Sequence, residues 1–165
     1  MAFDNIIQPE IISIDDNLRL RSTEKSHWEK ALPWYTNPKV LYYSEGITEG
    51  VYDMNVINRM YEALSNIGEL YFIEALEDNQ WKPIGDATLS DKNMPIVIGD
   101  ECYWGKGFGS KIIKVLIERA RFIGLNKITI PAIYVYNERS LNLFKSMGFR
   151  EISSNDKEKT YELLL

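Results

Sequence analysis

The sequence predicts an α+β fold, a mixed β-sheet flanked by helices. Three observations carry that prediction. Three strand-like segments follow one another between the early and late helical ones, which is not an even βαβα alternation. Glycine punctuates the ends of helical spacings at Gly68, Gly124 and Gly148. A glycine-rich turn at residues 104–109 joins a short apolar strand directly to a helix.

In chain order, residues 11–21 alternate loosely and read as a first strand. Thr23, Glu24 and Lys25 open a helical stretch with Trp28, Ala31 and Leu32 on its apolar side, and Pro33 is expected to stop it. Residues 34–52 read as irregular and aromatic. Val56, Ile57, Met60, Tyr61 and Leu64 recur at helical spacing within residues 55–67. Residues 70–76 and 81–89 form a hairpin about a turn at 77–80, and a short strand at 94–98 follows a second turn. Ile112, Ile113, Leu116, Ile117 and Ala120 mark one face of a helix over 110–122, with Gly124 as its left-handed cap. Residues 128–136 are a strand in which Pro131, lacking an N–H, predicts an unpaired or bulged position. Asn137 caps a helix over 138–147, and strands at 149–152 and 159–164 close the chain. With no repeat and no low-complexity linker, residues 1–165 read as one domain.

The chain has 24 acidic and 19 basic residues, a net charge of -5, which argues against a nucleic-acid binder that needs a concentrated basic face. A cationic or peptide amine partner is compatible with that charge. Cys102 is the single cysteine, so no intrachain disulfide forms, and with His27 the single histidine no zinc site is expected. The N-terminal residues lack the pattern of a secretory signal and no apolar run approaches a membrane span, so the expected location is cytoplasmic, away from membranes, as a monomer or homodimer.

Chemistry concentrates at Trp104, Gly105, Lys106, Gly107, Phe108, Gly109 and Ser110. A helix start offers unpaired N–H groups and a positive dipole end, and glycines let an anion approach the backbone. Ser110 and Lys111 would add a hydroxyl and a cation. The spacing does not fit a Walker loop, which needs four residues before Gly-Lys-Ser/Thr. It also fails the Rossmann G-x-G-x-x-G pattern, and the following strand ends in Tyr136 and Asn137 instead of an acid. A plain tight turn remains the alternative.

Trp104 to Gly109 resembles the Gln/Arg-x-x-Gly-x-Gly/Ala phosphate loop of the GNAT N-acetyltransferase superfamily, with Trp at the first position as in the branch of ribosomal-protein N-terminal and aminoglycoside acetyltransferases. A second block, Asn137, Ser140, Phe144, Gly148 and Phe149, is similar to the family's Asn-x-x-Ser/Ala-x-x-x-Tyr-x-x-x-Gly-Phe. The resemblance implies a GNAT-like splayed sheet and acetyl-CoA as co-substrate. The pantetheine arm would enter between the strands at 94–98 and 128–136, against the backbone of Ile96, Val97 and Ile98 and the side chain of Asn137. The pyrophosphate would lie on residues 104–110.

The implied reaction is transfer of an acetyl group to a primary amine by direct attack, the acceptor being a small molecule or a protein N-terminus. Such transfer needs a neutral amine, a stabilised oxyanion and a protonated thiolate. A backbone N–H of Val97 or Ile98 would polarise the carbonyl. Phe144 stands where many relatives carry a proton-donating Tyr, so Ser140, Tyr134, Tyr136 or water must serve, and Ser140, which matches the branch's own hydroxyl position, is the expected donor. Candidate bases are Asp86, Glu101 and Asp91, with Glu45. The aromatic segment places Trp34, Tyr35, Tyr43 and Glu45 where the acceptor would bind, an array that suits a cation but also suits a core. A non-catalytic acyl-CoA-binding or sensing module is the competing function.

Overall fold

The computed structural model describes residues 3–165. The first strand-like segment is two strands, β1 (Ile11–Asp15) and β2 (Leu18–Ser22), paired antiparallel. The Asp15 carboxylate accepts the Asn17 N–H at 2.8 Å, a side-chain turn that breaks the expected single strand. A 3₁₀ turn at Lys25–Ala31 then leads into α1 (Leu32–Tyr35), in which Pro33 occupies the first turn. Proline lacks only an N–H that has no intrahelical partner there, so it continues the path it was expected to end.

The 34–52 segment is not irregular throughout. It holds α2 (Pro38–Glu45), with Asn37 as N-cap accepting the Lys39 N–H and Gly46 as a left-handed C-cap at φ 67°. α3 (Met54–Ile67) follows, capped by Asp53. β3 (Glu69–Glu77) and β4 (Gln80–Leu89) form the predicted hairpin, and β5 (Ile96–Ile98) pairs with β4. α4 (Phe108–Phe122), β6 (Lys127–Tyr134), α5 (Glu138–Ser146), β7 (Arg150–Ser154) and β8 (Glu158–Leu164) complete the chain.

The strands make two antiparallel sheets, ordered β1-β2-β3-β4-β5 and β6-β8-β7. The mixed sheet expected from sequence therefore opens between β5 and β6, where no ladder forms. The sheets meet near the start of β6, where the Thr129 N–H donates to the Asp91 carbonyl at 2.9 Å. The predicted irregularity at Pro131 is a register shift between Ile130 and Ile133.

Both faces of the first sheet are covered, which explains why β3 is buried almost end to end. Tyr71 and Ile73 face a core shared with Ile112, Leu116 and Phe144 of α4 and α5. Leu70 and Phe72, on the opposite face by strand alternation, meet Trp34, Leu41, Ile57 and Tyr61 of the N-terminal helical layer.

Candidate active site

β5 ends in the glycine-rich turn. Gly105 and Gly107 lie at φ 73° and 78°, and a Cβ at either would meet no atom within 4 Å. The turn is thus glycine for conformation, with open space beside it. Gly107 is the N-cap of α4, which starts two residues earlier than periodicity suggested, and the Ser110 hydroxyl donates to the Gly107 carbonyl at 3.0 Å. The first N–H groups of this helix have no intrahelical acceptor. Gly109 serves packing instead, since a Cβ there would lie 2.7 Å from Leu143 of α5.

The cations around the turn are arranged differently from the sequence expectation. Lys111 is paired with Asp15 at 2.8 Å, on the side of β1. Arg139, at the start of α5, lies exposed with its guanidinium 5.9 Å from the Trp104 ring centroid. It makes no salt bridge among the described residues, and Lys106 lies 5.6 Å over Tyr103. The Trp104 indole N–H donates to the Ile98 carbonyl at 2.7 Å, fixing the turn to the end of β5.

Thr88 donates to Pro95, and Gly99 to Ile84, across the β4–β5 ladder. Antiparallel alternation then turns the backbone of Val97, opposite Asp86, toward β4. The amides of Ile96 and Ile98 point the other way, into the gap before β6. Asn137 caps α5 across that gap: its carboxamide oxygen accepts the Ser140 N–H at 3.2 Å and its nitrogen donates to the Tyr43 carbonyl at 3.4 Å. Phe144 packs edge-on against Phe149 in the core, at 5.2 Å between centroids.

On the face of β4 toward the helical layer, Asp86 is 1% exposed and accepts the Tyr35 hydroxyl at 2.6 Å and the Tyr61 hydroxyl at 2.7 Å, both on Oδ2. Burial pushes its carboxyl up to about 6, against the two tyrosine hydrogen bonds. Glu45, at the end of α2, accepts the Tyr52 hydroxyl at 3.3 Å. Its carboxyl is pushed up to about 7, first by burial and then by the charge of Asp86. The two carboxyl groups thus feel each other's charge among buried tyrosines, and neither has a salt-bridge partner among the described residues.

A family model described as an acetyltransferase (GNAT) domain matches residues 17–150. The chain belongs to that family. An uncharacterized protein of Methanocaldococcus jannaschii is 25% identical over 170 residues, covering 99% of this chain and 34% of the relative, so the chain spans about a third of the length of that curated relative. The solved structure of a domain from the same organism covers 92% of this chain and 100% of its own, with 24% identity and a TM-score of 0.79. Spermidine N-acetyltransferase from Vibrio cholerae, in complex with CoA and spermine, covers 91% of this chain and 96% of its own, with 18% identity and a TM-score of 0.70. At these identities the structures are alike in fold.

Within this GNAT domain the expected site residues divide. Tyr35, Glu45 and Asp86 come together, and Ile96, Ile98, Asn137, Ser140 and residues 104–110 border the gap or its mouth. Tyr43 is exposed and packs on Trp104 and Tyr136 with centroids 6.3 and 6.2 Å away. Trp34 does not face an acceptor pocket. It is a core residue, edge-on to Phe72, and a Cβ at Gly99 would lie 2.1 Å from its Cγ.

Glu101 is exposed and engaged elsewhere, accepting from Asn37 at 2.8 Å and from Lys39 at 3.2 Å. Those hydrogen bonds hold its carboxyl below the usual range, which makes it a weak base beside Asp86 and Glu45. Sequence reasoning did not single out Arg139, exposed beside Trp104, and read Tyr61 only as one apolar position of a helix. No local signal marks either contact.

Proposed function

We propose that this domain transfers an acetyl group from acetyl-CoA to the primary amine of a cationic small molecule or peptide by direct attack. The reading rests on one observation: β5 and β6 form no ladder, leaving an unpaired strand edge that runs from beside Asp86 on β4 to the open start of α4. The α4 N-terminus with Arg139 would hold the pyrophosphate, and the amides of Ile96 and Ile98 with Asn137 would hold the arm. The Ile98 N–H is the donor available to the developing oxyanion, because the ladder occupies that of Val97.

Glu45, with the charge of the buried Asp86 behind it, would draw the acceptor's ammonium toward the gap, and the exposed tyrosine faces beside it would add cation–π contacts. Carboxyl groups at about 7 and about 6 are ionised enough at neutral pH to attract a cation and basic enough to take its proton. The leaving thiolate needs a hydroxyl near the gap, and Ser140 and Tyr134 are the two within reach by position.

The test is thiol release from acetyl-CoA with a panel of amines that includes polyamines and peptides. Amine-dependent release is expected, with the acetylated amine recovered by mass spectrometry. The buried Phe144 favours one competing reading, a module that binds acyl-CoA without turnover. CoA binding by calorimetry with no release from any amine would establish that reading in its place.

A further inference from the structure

Resting on that acetyltransfer reading, we propose that Trp104 and Gly85 are positioning residues for the Ile98 N–H, the donor to the developing oxyanion. Gly85 seats the peptide that carries this N–H, and Trp104 holds the carbonyl of the same residue.

A trans peptide points its C=O and its N–H to opposite sides. The Val97 carbonyl lies on the β4 side, so the Ile98 N–H, on the same peptide, faces the gap. That peptide rests directly on the backbone of β4. A Cβ at Gly85 would lie 2.0 Å from the Val97 carbonyl oxygen, and 3.0 Å from both the Val97 carbonyl carbon and the Ile98 Cα. Only glycine leaves room for so close an approach between two paired strands. Gly85 also borders the irregularity of β4, where the register with β3 shifts between Ile73 and Glu74.

The Ile98 carbonyl faces the gap as well, because both polar groups of one strand residue point to the same side. Left free, its partial negative charge would oppose an oxyanion at the neighbouring N–H. The Trp104 indole N–H takes this carbonyl at 2.7 Å, the one side-chain hydrogen bond to the backbone of β5 among the described residues. Ile98 is therefore fixed on both sides, by Gly85 through the peptide before it and by Trp104 through the peptide after it. The indole is held in its turn. It is half-buried, edge-on to Tyr43 at 6.3 Å, with the Arg139 guanidinium 5.9 Å from its ring centroid. A donor set in place before the reaction needs no reorganisation as charge develops, and both contacts act to that end. Trp104 is also the first residue of the glycine-rich turn, so one side chain ties that turn to the donor.

The test separates the indole donor from the indole ring, using acetyl-CoA and an amine that the parent acetylates. Trp104→Phe keeps an aromatic ring and loses the N–H, whereas Trp104→Gln loses the ring and keeps an N–H. In Trp104→Phe, kcat is expected to fall about tenfold, a part of the roughly 100- to 1000-fold that loss of a whole oxyanion donor costs. Trp104→Gln should recover at least about threefold of that loss, because an amide N–H can take the same carbonyl. CoA affinity by calorimetry should stay within about threefold of the parent in Trp104→Phe, since the indole donates to backbone and not to phosphate. Gly85→Ala displaces the Val97 carbonyl and should lower kcat at least as far. The Trp104 pair decides the matter whether or not that variant folds.

A second readout needs no turnover. The Trp104 indole ¹H–¹⁵N resonance, identified as the one missing from Trp104→Phe, should keep its hydrogen-bonded position when CoA is added. The Ile98 amide resonance should shift more with acetyl-CoA than with CoA, because only acetyl-CoA brings a thioester carbonyl. A kcat for Trp104→Phe within threefold of an active parent, or Trp104→Gln no more active than Trp104→Phe, overturns the positioning role. An indole resonance that leaves its hydrogen-bonded position on CoA binding overturns it too, because the Ile98 carbonyl then belongs to the ligand. An Ile98 amide that answers CoA and acetyl-CoA alike removes the donor assignment. A parent that binds CoA but acetylates no amine overturns the acetyltransfer reading itself, and the positioning role falls with it.

Discussion

Replacing Asp86 by Asn should stabilise the protein at neutral pH while removing activity. Both tyrosine hydroxyls donate to the same oxygen, Oδ2, so an amide oxygen in that position keeps both bonds. What disappears is the charge. Burial raises the Asp86 carboxyl from 3.8 to about 6, so the folded state binds the proton more tightly than the unfolded chain. Stability is therefore fully present below about pH 4 and is lost as pH rises to about 6. A gap of about two pH units corresponds to about 3 kcal/mol. Asn lacks that penalty, and whatever its amide nitrogen costs is the same at every pH.

Between pH 4.5 and 7.5 the advantage of Asp86→Asn over the parent should grow by about 2 kcal/mol. That corresponds to roughly 4–8 °C in Tm for a chain of this size. The charge of Asp86 also helps hold the Glu45 carboxyl up at about 7, so its removal acts in the same direction. Thermal unfolding followed by circular dichroism across that pH range measures the difference, and acetyl transfer in the same samples should fall about 100-fold or more. An advantage that stays flat or shrinks from pH 4.5 to 7.5 would refute the reasoning that Asp86 carries a costly buried charge.

Gly107→Glu should abolish CoA binding measured by calorimetry while the chain stays folded. Its side chain enters open space at the helix start, where a carboxylate repels phosphate, and its left-handed φ adds only about 1 kcal/mol of strain. Arg139→Ala should weaken CoA about tenfold, the scale of one lost charge-assisted contact. Lys111→Ala should change CoA affinity less than about threefold, because its ammonium is already paired with Asp15.

The glycine-rich turn and the helices behind it were readable because their signals are local. Glycines that must adopt positive φ, an Asn that caps its own helix, and apolar residues recurring at 3.6-residue spacing act within a few positions of themselves. The same holds for Pro131 and the bulge it marks. α2 also carried a local signal, the Asn37-Pro38 pair that caps and starts it, but four aromatic residues around it obscured the helical spacing.

The environments of the candidate residues are set by contacts between distant parts of the chain. Asp86 is a buried carboxylate because Tyr35 and Tyr61 reach it from 51 and 25 residues away. Trp34 became core because Gly99 leaves room for its ring, and Lys111 turns to the side of β1 because Asp15, 96 residues away, holds it. Backbone preference and capping depend on neighbours in sequence, so the amino-acid order determined where the glycine-rich turn gives way to α4. Charge, burial and proton affinity depend on neighbours in space, so only the packed sheets decided which carboxyls are buried and raised, as Asp86 and Glu45 are, and which is exposed and lowered, as Glu101 is.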